Sequence, residues 1–276
     1  MVKIVTDSTC DLNAEQARQL GVDAIAKLYV RFGRQTFVDG VTISNEQFST
    51  MMKENPNFPS TSQPSIGDFV KIYEQFKGEP IVSIHVSREL SGTIASAEAA
   101  REMVGGDITI IDSRNVNAGL SLVVAEAARM AHQGAAPAQI QTRIEALVPR
   151  TRLVFTLDTL ENLRRGGRIG AVQAIVGGVL QFKPIIAVKE GRLEPLERVR
   201  TMPKAVARMR EIALTDLQNQ AEAQVWFMHS AAPDLAQELM TSTARLKTMK
   251  NPLLIEAGPV VATHAGPGAV GIAYII

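Results

Sequence analysis

Three short stretches of the chain, far apart in the sequence, carry side chains that could bind an anion. They place hydroxyl groups, small residues or a histidine at predicted turns, and they are Thr61–Ser65, Ser91–Thr93 and Thr263–Gly268. The first two lead directly into predicted helices, where free backbone N–H groups and the positive end of the helix dipole favour negative charge. If the three turns meet in space, they form a pocket for a carboxylate or a phosphate. No obvious nucleophile–base pair or metal-ligand cluster accompanies them, so the pattern indicates binding rather than catalysis.

The first two stretches also have simpler interpretations as helix caps. Ser65 is predicted to cap the helix that it opens, whereas Thr61 and Ser62 are not needed for that cap and can face a cleft. Ser91 is predicted to cap the following helix, with Gly92 in its first turn. Glycine is a poor helix former, and its presence there is explained if a ligand must approach the backbone closely. No phosphate-binding glycine motif follows any strand, which argues against a nucleotide site.

His264 is predicted to follow a strand at Val260–Thr263 and to precede a rigid Gly-Pro-Gly turn. It could donate to an anion directly or orient the Thr263 hydroxyl. A hydrolase that uses Ser91 with His264 is an alternative, but the sequence has no G-x-S-x-G elbow and no carboxylate obviously placed to orient the imidazole. The remaining histidines, among them His85 in a predicted strand, are expected to have packing or surface roles.

Metal binding and nucleic-acid binding are not predicted. Asp7, Asp39 and Asp112 do not have the spacing of a metal-binding loop, so capping and turn roles are favoured. A formal net charge of +1 and the absence of a basic run with aromatic residues argue against nucleic acid. The second half contains a group of arginines, for which a solvated face is the simplest interpretation and a docking patch for an acidic partner or a membrane surface is the alternative: Arg164, Arg165, Arg168, Arg192, Arg198 and Arg200.

The elements that must position these residues alternate in the first half of the chain. Buried strands are predicted at Val2–Thr6, Pro80–His85 and Ile108–Ile111, with helices between and after them, such as Asn13–Leu20 and Asn117–His132. Strands separated by helices of this length predict βαβ units and a mostly parallel sheet. Because ligands bind beyond the carboxyl ends of parallel strands, the polar residues that follow these strands are expected at that edge.

A change of pattern after 149–151 marks a predicted domain boundary. A hairpin at Pro184–Val188 and Leu193–Val199, then helices and closing strands that include Val260–Thr263 and Ala269–Ile276, predict an α+β region. We therefore predict a two-domain α/β protein. Residues 1–149 form a domain with a mostly parallel sheet flanked by helices, residues 150–276 form an α+β domain with a mixed sheet, and the ligand lies between them.

Length and composition agree with a two-domain interpretation. The 276 residues suit two domains of roughly 100–150 residues each. The single cysteine, Cys10, excludes an intrachain disulfide and suits a reducing compartment. The chain begins with a strand pattern rather than a secretory leader, and the apolar segment 171–180 is too short to span a membrane. We therefore expect a soluble, cytoplasmic protein.

Several motifs, taken in order, resemble the DegV family of bacterial fatty-acid-binding proteins. The likeness covers essentially the full length, and the ensemble is highly specific although each motif alone is not. The motifs are Lys3–Thr9, Thr61–Ser65, Leu90–Thr93, Ile111–Ser113, Thr156–Leu160 with Gly166–Ile169, Lys183–Ile185 and Gly258–Gly268.

The resemblance implies a protein that holds one long-chain fatty acid in an internal tunnel, without a cofactor and without catalysis of its own. Members of the FakB type present the acid to a separate ATP-dependent fatty acid kinase subunit, which makes the acyl phosphate for bacterial phospholipid metabolism. Carried onto this chain, the resemblance implies carboxylate contacts from Thr61, Ser62 and Ser91, with Gly92 and Thr93 nearby and Thr263 and His264 closing the site. It implies a kinase- or membrane-facing surface at Arg168, Arg198 and Arg200.

Two departures from the family pattern stand out. The segment before Leu90 reads Ser87-Arg88-Glu89, where family members commonly carry smaller residues, and this charged pair could alter ligand access or partner docking. Cys10 replaces a usual small alanine and is expected to be benign. Two alternatives stay open at this point: a stand-alone Ser/His hydrolase or phosphotransferase, and a lipid-responsive regulatory protein.

Overall fold

A computed structural model of the protein describes residues 1–175 and 182–276. The apolar segment 171–180 therefore lies partly outside the described residues. None of the helices in the described ranges combines the length and the apolar character needed to cross a membrane.

The first half of the chain alternates strands and helices, as predicted. In chain order the elements are β1 (Lys3–Asp7), α1 (Ala14–Leu20), β2 (Ala24–Ala26), β3 (Tyr29–Phe32), β4 (Gln35–Val38), α2 (Asn45–Glu54), β5 (Ser60–Ser62), α3 (Ile66–Gln75), β6 (Ile81–His85), α4 (Thr93–Val104), β7 (Ile108–Asp112), α5 (Asn117–His132) and α6 (Pro137–Leu147).

Strands β2, β1, β6 and β7 lie in that order in a four-stranded parallel sheet, the N-terminal sheet. Its two faces are covered by different helices. Val5 and Ile81 pack against α3 and α4, whereas Ile4 and Ile84 belong to the core that contains α5 and α6. Burial on both faces explains why these strands are continuous apolar runs rather than alternating ones. The predicted parallel sheet flanked by helices is confirmed.

The second half contains β8 (Thr151–Thr156), α7 (Glu161–Arg165), β9 (Lys183–Lys189), β10 (Arg192–Val199), α8 (Met202–Asp216), β11 (Glu222–Ala223), β12 (Val225–Ser230), α9 (Pro233–Ala244), β13 (Thr248–Met249), β14 (Leu254–Glu256), α10 (Pro259–Ala265) and β15 (Ala269–Ile275). Six of these strands form the C-terminal sheet, in the order β10-β9-β8-β15-β12-β14. Only the β12–β14 pair within it is parallel. The predicted mixed sheet is confirmed.

Helix α5 lies between the two sheets and contacts strands of both. Nearly every residue from Asn117 to Ala128 is buried, because the sequence offers small or aliphatic residues around the whole circumference of the helix. The outer face of the C-terminal sheet is covered by α8 and α9. The division of the chain into residues 1–149 and 150–276 stays a prediction.

Two predicted elements differ from the structure. Val260–Thr263 is part of helix α10 rather than a strand, because Pro259 at the first turn has a backbone suited to helix initiation and needs no N–H donor there. Thr61 and Ser62 lie in the short strand β5, which pairs with β3, rather than in a loop. Strand β3 also pairs with β4, so that β4, β3 and β5 form a separate antiparallel sheet.

Candidate functional site

A cavity lies beside the start of α5, between the segments that follow strands β1, β2 and β6 of the N-terminal sheet and residues of the C-terminal sheet. It encloses about 840 Å³ of space not filled by protein atoms, part of it open to solvent. Most of its wall is apolar, and the polar side chains are contributed by distant parts of the chain. The apolar residues are Leu28, Val86, Leu90, Val116, Leu153, Phe155, Leu163, Leu193, Met228, Val260, Val261 and Ala265; the polar ones are Thr9, Thr61, Ser62, Gln63, Ser91, Asn117, Arg168 and His264.

Thr61 and His264, predicted site residues from opposite ends of the chain, meet in this wall. The Thr61 hydroxyl and His264 Nε2 share a hydrogen bond of 2.9 Å. Strand β5 positions Thr61, because its antiparallel pairing with β3 sets Thr61 opposite Val30. Ser65 then caps α3 as predicted, its hydroxyl accepting from the Asp68 N–H at 3.1 Å. Thr61 and Ser62 are therefore left free of the cap and line the cavity.

Ser91 is not the N-cap residue of the following helix, as predicted, but lies one position before it. Helix α4 begins at Thr93, and Gly92 is its N-cap residue, without a side-chain cap. The Ser91 hydroxyl lies 2.9 Å from that of Thr93, which is fully buried and does not line the cavity. A side chain at Gly92 would place its Cβ 2.8 Å from Gln63 Nε2, so the glycine allows a close approach of Gln63. Gly92 itself lines an outer groove at the mouth of the cavity.

His264 stands at the polar end of the cavity as a neutral imidazole near pH 7. Burial, and to a smaller extent the positive charge of Arg168, lower its pKa to about 4. Its Nδ1 atom is buried and has no hydrogen-bond partner among residues 1–175 and 182–276. The ring packs so closely on the turn after α7 that a Cβ at Gly166 would lie 2.2 Å from Nδ1.

Thr263 does not line the cavity. Its side chain is fully buried, and its hydroxyl donates to the Pro259 carbonyl oxygen at 2.8 Å, one helical turn earlier. In a helix, successive side chains point about 100° apart, so His264 and Thr263 address different surroundings. The main chain of Thr263 is held from the other side, where Asn162 Nδ2 donates to its carbonyl oxygen at 3.3 Å.

Arg168 lies in the cavity wall, next to the predicted carboxylate contacts, in addition to lining the outer groove. Its Nε atom donates to the Leu90 carbonyl oxygen at 3.2 Å and its Nη1 atom to the Gly166 carbonyl oxygen at 2.9 Å. These bonds join the segment before Ser91 to the turn that supports His264. Arg198 and Arg200 are exposed outside the cavity, and the Arg198 guanidinium lies 5.8 Å from the centre of the Phe182 ring.

A buried polar network that was not predicted from the sequence holds another part of the cavity wall. Asp7 is fully buried and accepts from His85 Nδ1 at 3.1 Å and from the Val86 N–H at 2.8 Å. Its other oxygen accepts from the hydroxyl and the N–H of Thr9. His85 is thus buried, as expected for a packing role, but it also pairs with Asp7 and Ser83. Since Thr9 and Val86 both line the cavity, Asp7 holds two wall residues from one point.

The charged pair Arg88 and Glu89 lies at the mouth of the cavity, in the outer groove. Arg88 pairs with Asp112 at 3.1 Å, and Glu89 pairs across the outer groove with Arg192 at 2.8 Å. Beside them, the buried Ser87 hydroxyl donates to the Gly191 carbonyl oxygen at 2.8 Å. The segment before Ser91 is therefore fastened to the turn between β9 and β10.

The chemistry that this arrangement supports is the binding of an anion with a long apolar tail. Hydroxyls, a guanidinium and a neutral imidazole converge at one end of a mostly apolar cavity. A serine–histidine nucleophile is not assembled, because His264 Nε2 bonds to Thr61 and its Nδ1 has no carboxylate partner among the described residues. Within the same residues, no group of three or more His, Cys, Asp and Glu side chains could hold a metal ion.

Comparisons with known proteins identify the family of the chain. A family model described as uncharacterised proteins of the DegV family matches residues 1–276. A DegV domain-containing protein of Deinococcus radiodurans is 38% identical over 277 residues, which cover 99% of this chain and 97% of that protein.

Solved structures of similar proteins include two whose descriptions state fatty acid binding. One is a fatty-acid-binding DegV family protein from Thermus thermophilus, with a TM-score of 0.93, 32% identity and coverage of 100% of this chain and 99% of that one. Another is a stearic-acid-binding protein from Eubacterium ventriosum, with a TM-score of 0.91, 30% identity and coverage of 100% and 98%. By the match of its whole length to the family model and by its identity to these relatives, the chain belongs to the DegV family.

Proposed function

We propose that the protein binds one long-chain fatty acid and presents its carboxylate to a separate ATP-dependent kinase subunit, which converts it to an acyl phosphate in the cytoplasm. The carboxylate lies between Thr61, Ser62, Ser91, Arg168 and His264, and the chain extends along the apolar wall toward Phe155 and Met228. The protein itself carries out no chemical step. The observation that carries the proposal is the convergence of these polar groups at one end of an apolar cavity.

The fatty acid as ligand is supported by the similar proteins from Thermus thermophilus and Eubacterium ventriosum, which are described as binding fatty acid and stearic acid. Hydrophobic burial is large enough for this task. An acyl chain of about 14–16 methylenes gains about 0.8 kcal/mol per methylene, or roughly 12 kcal/mol in total. Association and ordering of the chain cost several kcal/mol in return. The tail therefore supplies affinity, and the polar end supplies orientation.

The ligand is identified by extraction. The protein is purified from a bacterial host and denatured, and the extract is analysed by mass spectrometry. We expect one long-chain fatty acid per chain. A preparation that binds no long-chain acid, either from the host or after incubation with stearic acid, contradicts the proposal.

The head-group assignment is tested with the double variant Thr61→Ala/Ser91→Ala. Removing both hydroxyls takes away two hydrogen bonds to the carboxylate, each worth about 1.5–3 kcal/mol to a charged group. We expect acyl-phosphate formation by the kinase to fall by at least about 10-fold, with a small change in unfolding temperature. Thr142→Ala/Thr215→Ala, which truncates two exposed hydroxyls on α6 and α8, is the matched control. Equal acyl-phosphate formation in both double variants would refute the assignment.

The kinase-facing surface is proposed to include Arg168 at the mouth and the exposed Arg198 and Arg200, with transient membrane contact during ligand exchange. Replacing Arg198 and Arg200 by Ala should lower the rate of acyl-phosphate formation by the kinase when this protein is limiting, while its affinity for fatty acid stays unchanged.

Hydrolysis of acyl esters by the isolated protein, abolished by Ser91→Ala, would instead favour the hydrolase. Ligand-dependent capture of a partner without kinase activity would favour a regulatory protein.

A further inference from the structure

Helix α10 carries His264 and a large part of the cavity wall, and its beginning is held by two carboxylates. The Gly258 N–H donates to Asp11 Oδ1 at 2.9 Å, and the Val260 N–H donates to Asp39 Oδ1 at 3.3 Å. Pro259 between them has no N–H to donate. Two of the backbone donors at the start of α10 are therefore satisfied by side chains from the N-terminal half of the chain.

Asp11 also holds the start of α5. Its second oxygen accepts from Asn117 Nδ2 at 2.5 Å. Asn117 is the first residue of α5, is buried, lines the cavity and has a φ of +50°. Its own Oδ1 atom accepts from the Ala118 N–H at 2.6 Å, so the orientation of the amide is fixed by both bonds. One carboxylate thus joins the starts of two helices that form different walls of the cavity.

Asp11 does not touch the cavity that it supports. It lines a separate groove behind α10, together with Asp39 and Lys27. A side chain at Gly258 would place its Cβ 2.8 Å from Asp11 Oδ1, so a glycine is required for this contact. Burial, and next the neighbouring Asp39 carboxylate, raise the pKa of Asp11. The arrangement is electrostatically unfavourable for Asp11, so its hydrogen bonds must compensate.

We infer that Asp11 is a positioning residue for the head-group site: by joining the starts of α5 and α10, it sets where His264 stands relative to Thr61 and Ser91. The inference rests on the proposed function, since it concerns recognition of the ligand carboxylate. It adds a residue behind the cavity wall to those that touch the ligand.

An exchange of partners tests the inference. In Asp11→Asn, the oxygen of the new amide can still accept from the Gly258 N–H. Its NH₂ group then faces the NH₂ group of Asn117, so two donors meet and the hydrogen bond between positions 11 and 117 is lost. In Asp11→Asn/Asn117→Asp, the amide at position 11 accepts from Gly258 and donates to the carboxylate at position 117, which still accepts from Ala118. The double variant keeps the number of hydrogen bonds and the net charge of the wild type.

The readout is the ratio of affinities for a fluorescent long-chain fatty acid and for the alcohol of the same chain. Both ligands fill the apolar cavity, but only the acid needs the carboxylate site. We expect Asp11→Asn to lower the acid-over-alcohol ratio by about 10-fold, and the double variant to restore it to within about threefold of the wild type. Asp216→Asn, which removes a carboxylate that accepts from the Tyr274 hydroxyl away from the cavity, is the control and should leave the ratio unchanged.

Two outcomes would overturn the inference: an unchanged ratio in Asp11→Asn, or a double variant that folds without recovering the ratio or does not fold at all. Should Asp11→Asn itself not fold, Asn117→Asp replaces it, because two facing carboxylates break the same joint and predict the same loss. A wild-type protein that binds neither ligand would instead contradict the proposed function. Failure of the inference and failure of the proposed function are therefore distinguishable.

Discussion

At the scale of single residues, the ionisation state of His264 is set by its surroundings. A neutral imidazole can donate or accept at Nε2 without adding a second positive charge beside that of the half-buried Arg168. Because its pKa is lowered to about 4, it keeps this state throughout the physiological pH range. His264 therefore contributes to the site through the orientation of its hydrogen bond with Thr61, and not through a positive charge.

The lowered pKa predicts acid sensitivity that depends on His264. Between pH 6.5, the ordinary pKa of histidine, and pH 4, the unfolded chain binds the proton more readily than the folded chain, so acidification favours unfolding. The contribution of His264 is present in full above pH 6.5 and is lost as the pH falls toward 4. From pH 7 to pH 5 the wild type should lose about 2 kcal/mol of unfolding free energy more than His264→Gln.

Denaturant titrations of both proteins at the two pH values check this prediction. Asp39, whose pKa is raised from 3.8 to about 6 chiefly by burial, acts in the opposite direction. Its contribution to the free energy of unfolding is lost as the pH rises from 3.8 through about 6. It is present in both proteins and cancels in the difference. The same loss in wild type and variant would contradict the buried, neutral state of His264.

At the scale of elements, the cavity is built where strand ends meet helix beginnings. Asp7 and Asp112 both stand at the carboxyl ends of strands in the N-terminal sheet, β1 and β7, but only Asp7 is fully buried. Asp7 ties the end of β1 to the end of β6 through His85 and Val86. Asp112 caps the following turn by accepting from the Arg114 N–H.

The two aspartates therefore predict different costs of truncation. Asp7→Ala leaves buried donors unpaired and breaks a buried pair, which should lower the free energy of unfolding by about 3–5 kcal/mol. Asp112→Ala removes a partly exposed turn contact and should cost about 1 kcal/mol. Urea denaturation of both variants measures the difference, and similar costs at the two positions would contradict the structural role of the Asp7 network.

At the scale of the whole molecule, the segment before Ser91 is fastened to the turn between β9 and β10 beside the mouth of the cavity. Gly191 has a φ of +84°, and a Cβ there would lie 2.3 Å from the Ser87 hydroxyl oxygen. Gly134 has the same φ of +84°, but a Cβ there would meet no atom within 4 Å. A comparison of the same substitution at the two glycines therefore distinguishes the cost of backbone strain from the cost of disturbing the contact between Gly191 and Ser87.

Gly191→Ala should therefore destabilise the protein more than Gly134→Ala. Both substitutions incur a left-handed backbone cost of about 1–2 kcal/mol. Gly191→Ala in addition displaces Ser87 and weakens its hydrogen bond, for a further cost of about 1 kcal/mol or more. Adding Ser87→Ala to Gly191→Ala should relieve the clash, so that the two changes together cost less than their sum. Thermal unfolding of the set provides the measurement, and equal costs for both glycine variants would sink the prediction.

The order and type of most elements follow from the sequence, because helix caps and apolar periodicity are local signals. Ser65 forms the cap that the sequence predicts, and α5 has its predicted bounds. One exception is α10, where two β-branched valines suggest a strand but Pro259 starts a helix. Local preference was misleading there because both interpretations fit so short a segment.

The residues of the proposed head-group site were only partly predictable. Their types and the turns that carry Thr61, Ser62 and Ser91 are visible in the sequence, and so is membership of the DegV family. Whether Thr263 or His264 faces the cavity, and whether Arg168 lies in its wall, was decided by the tertiary structure alone. The same holds for Gln63, Asn117 and Asp11. The physical reason is that Thr61 and His264 are 203 positions apart, so their contact depends on how sheets and helices pack and not on any signal within a few residues.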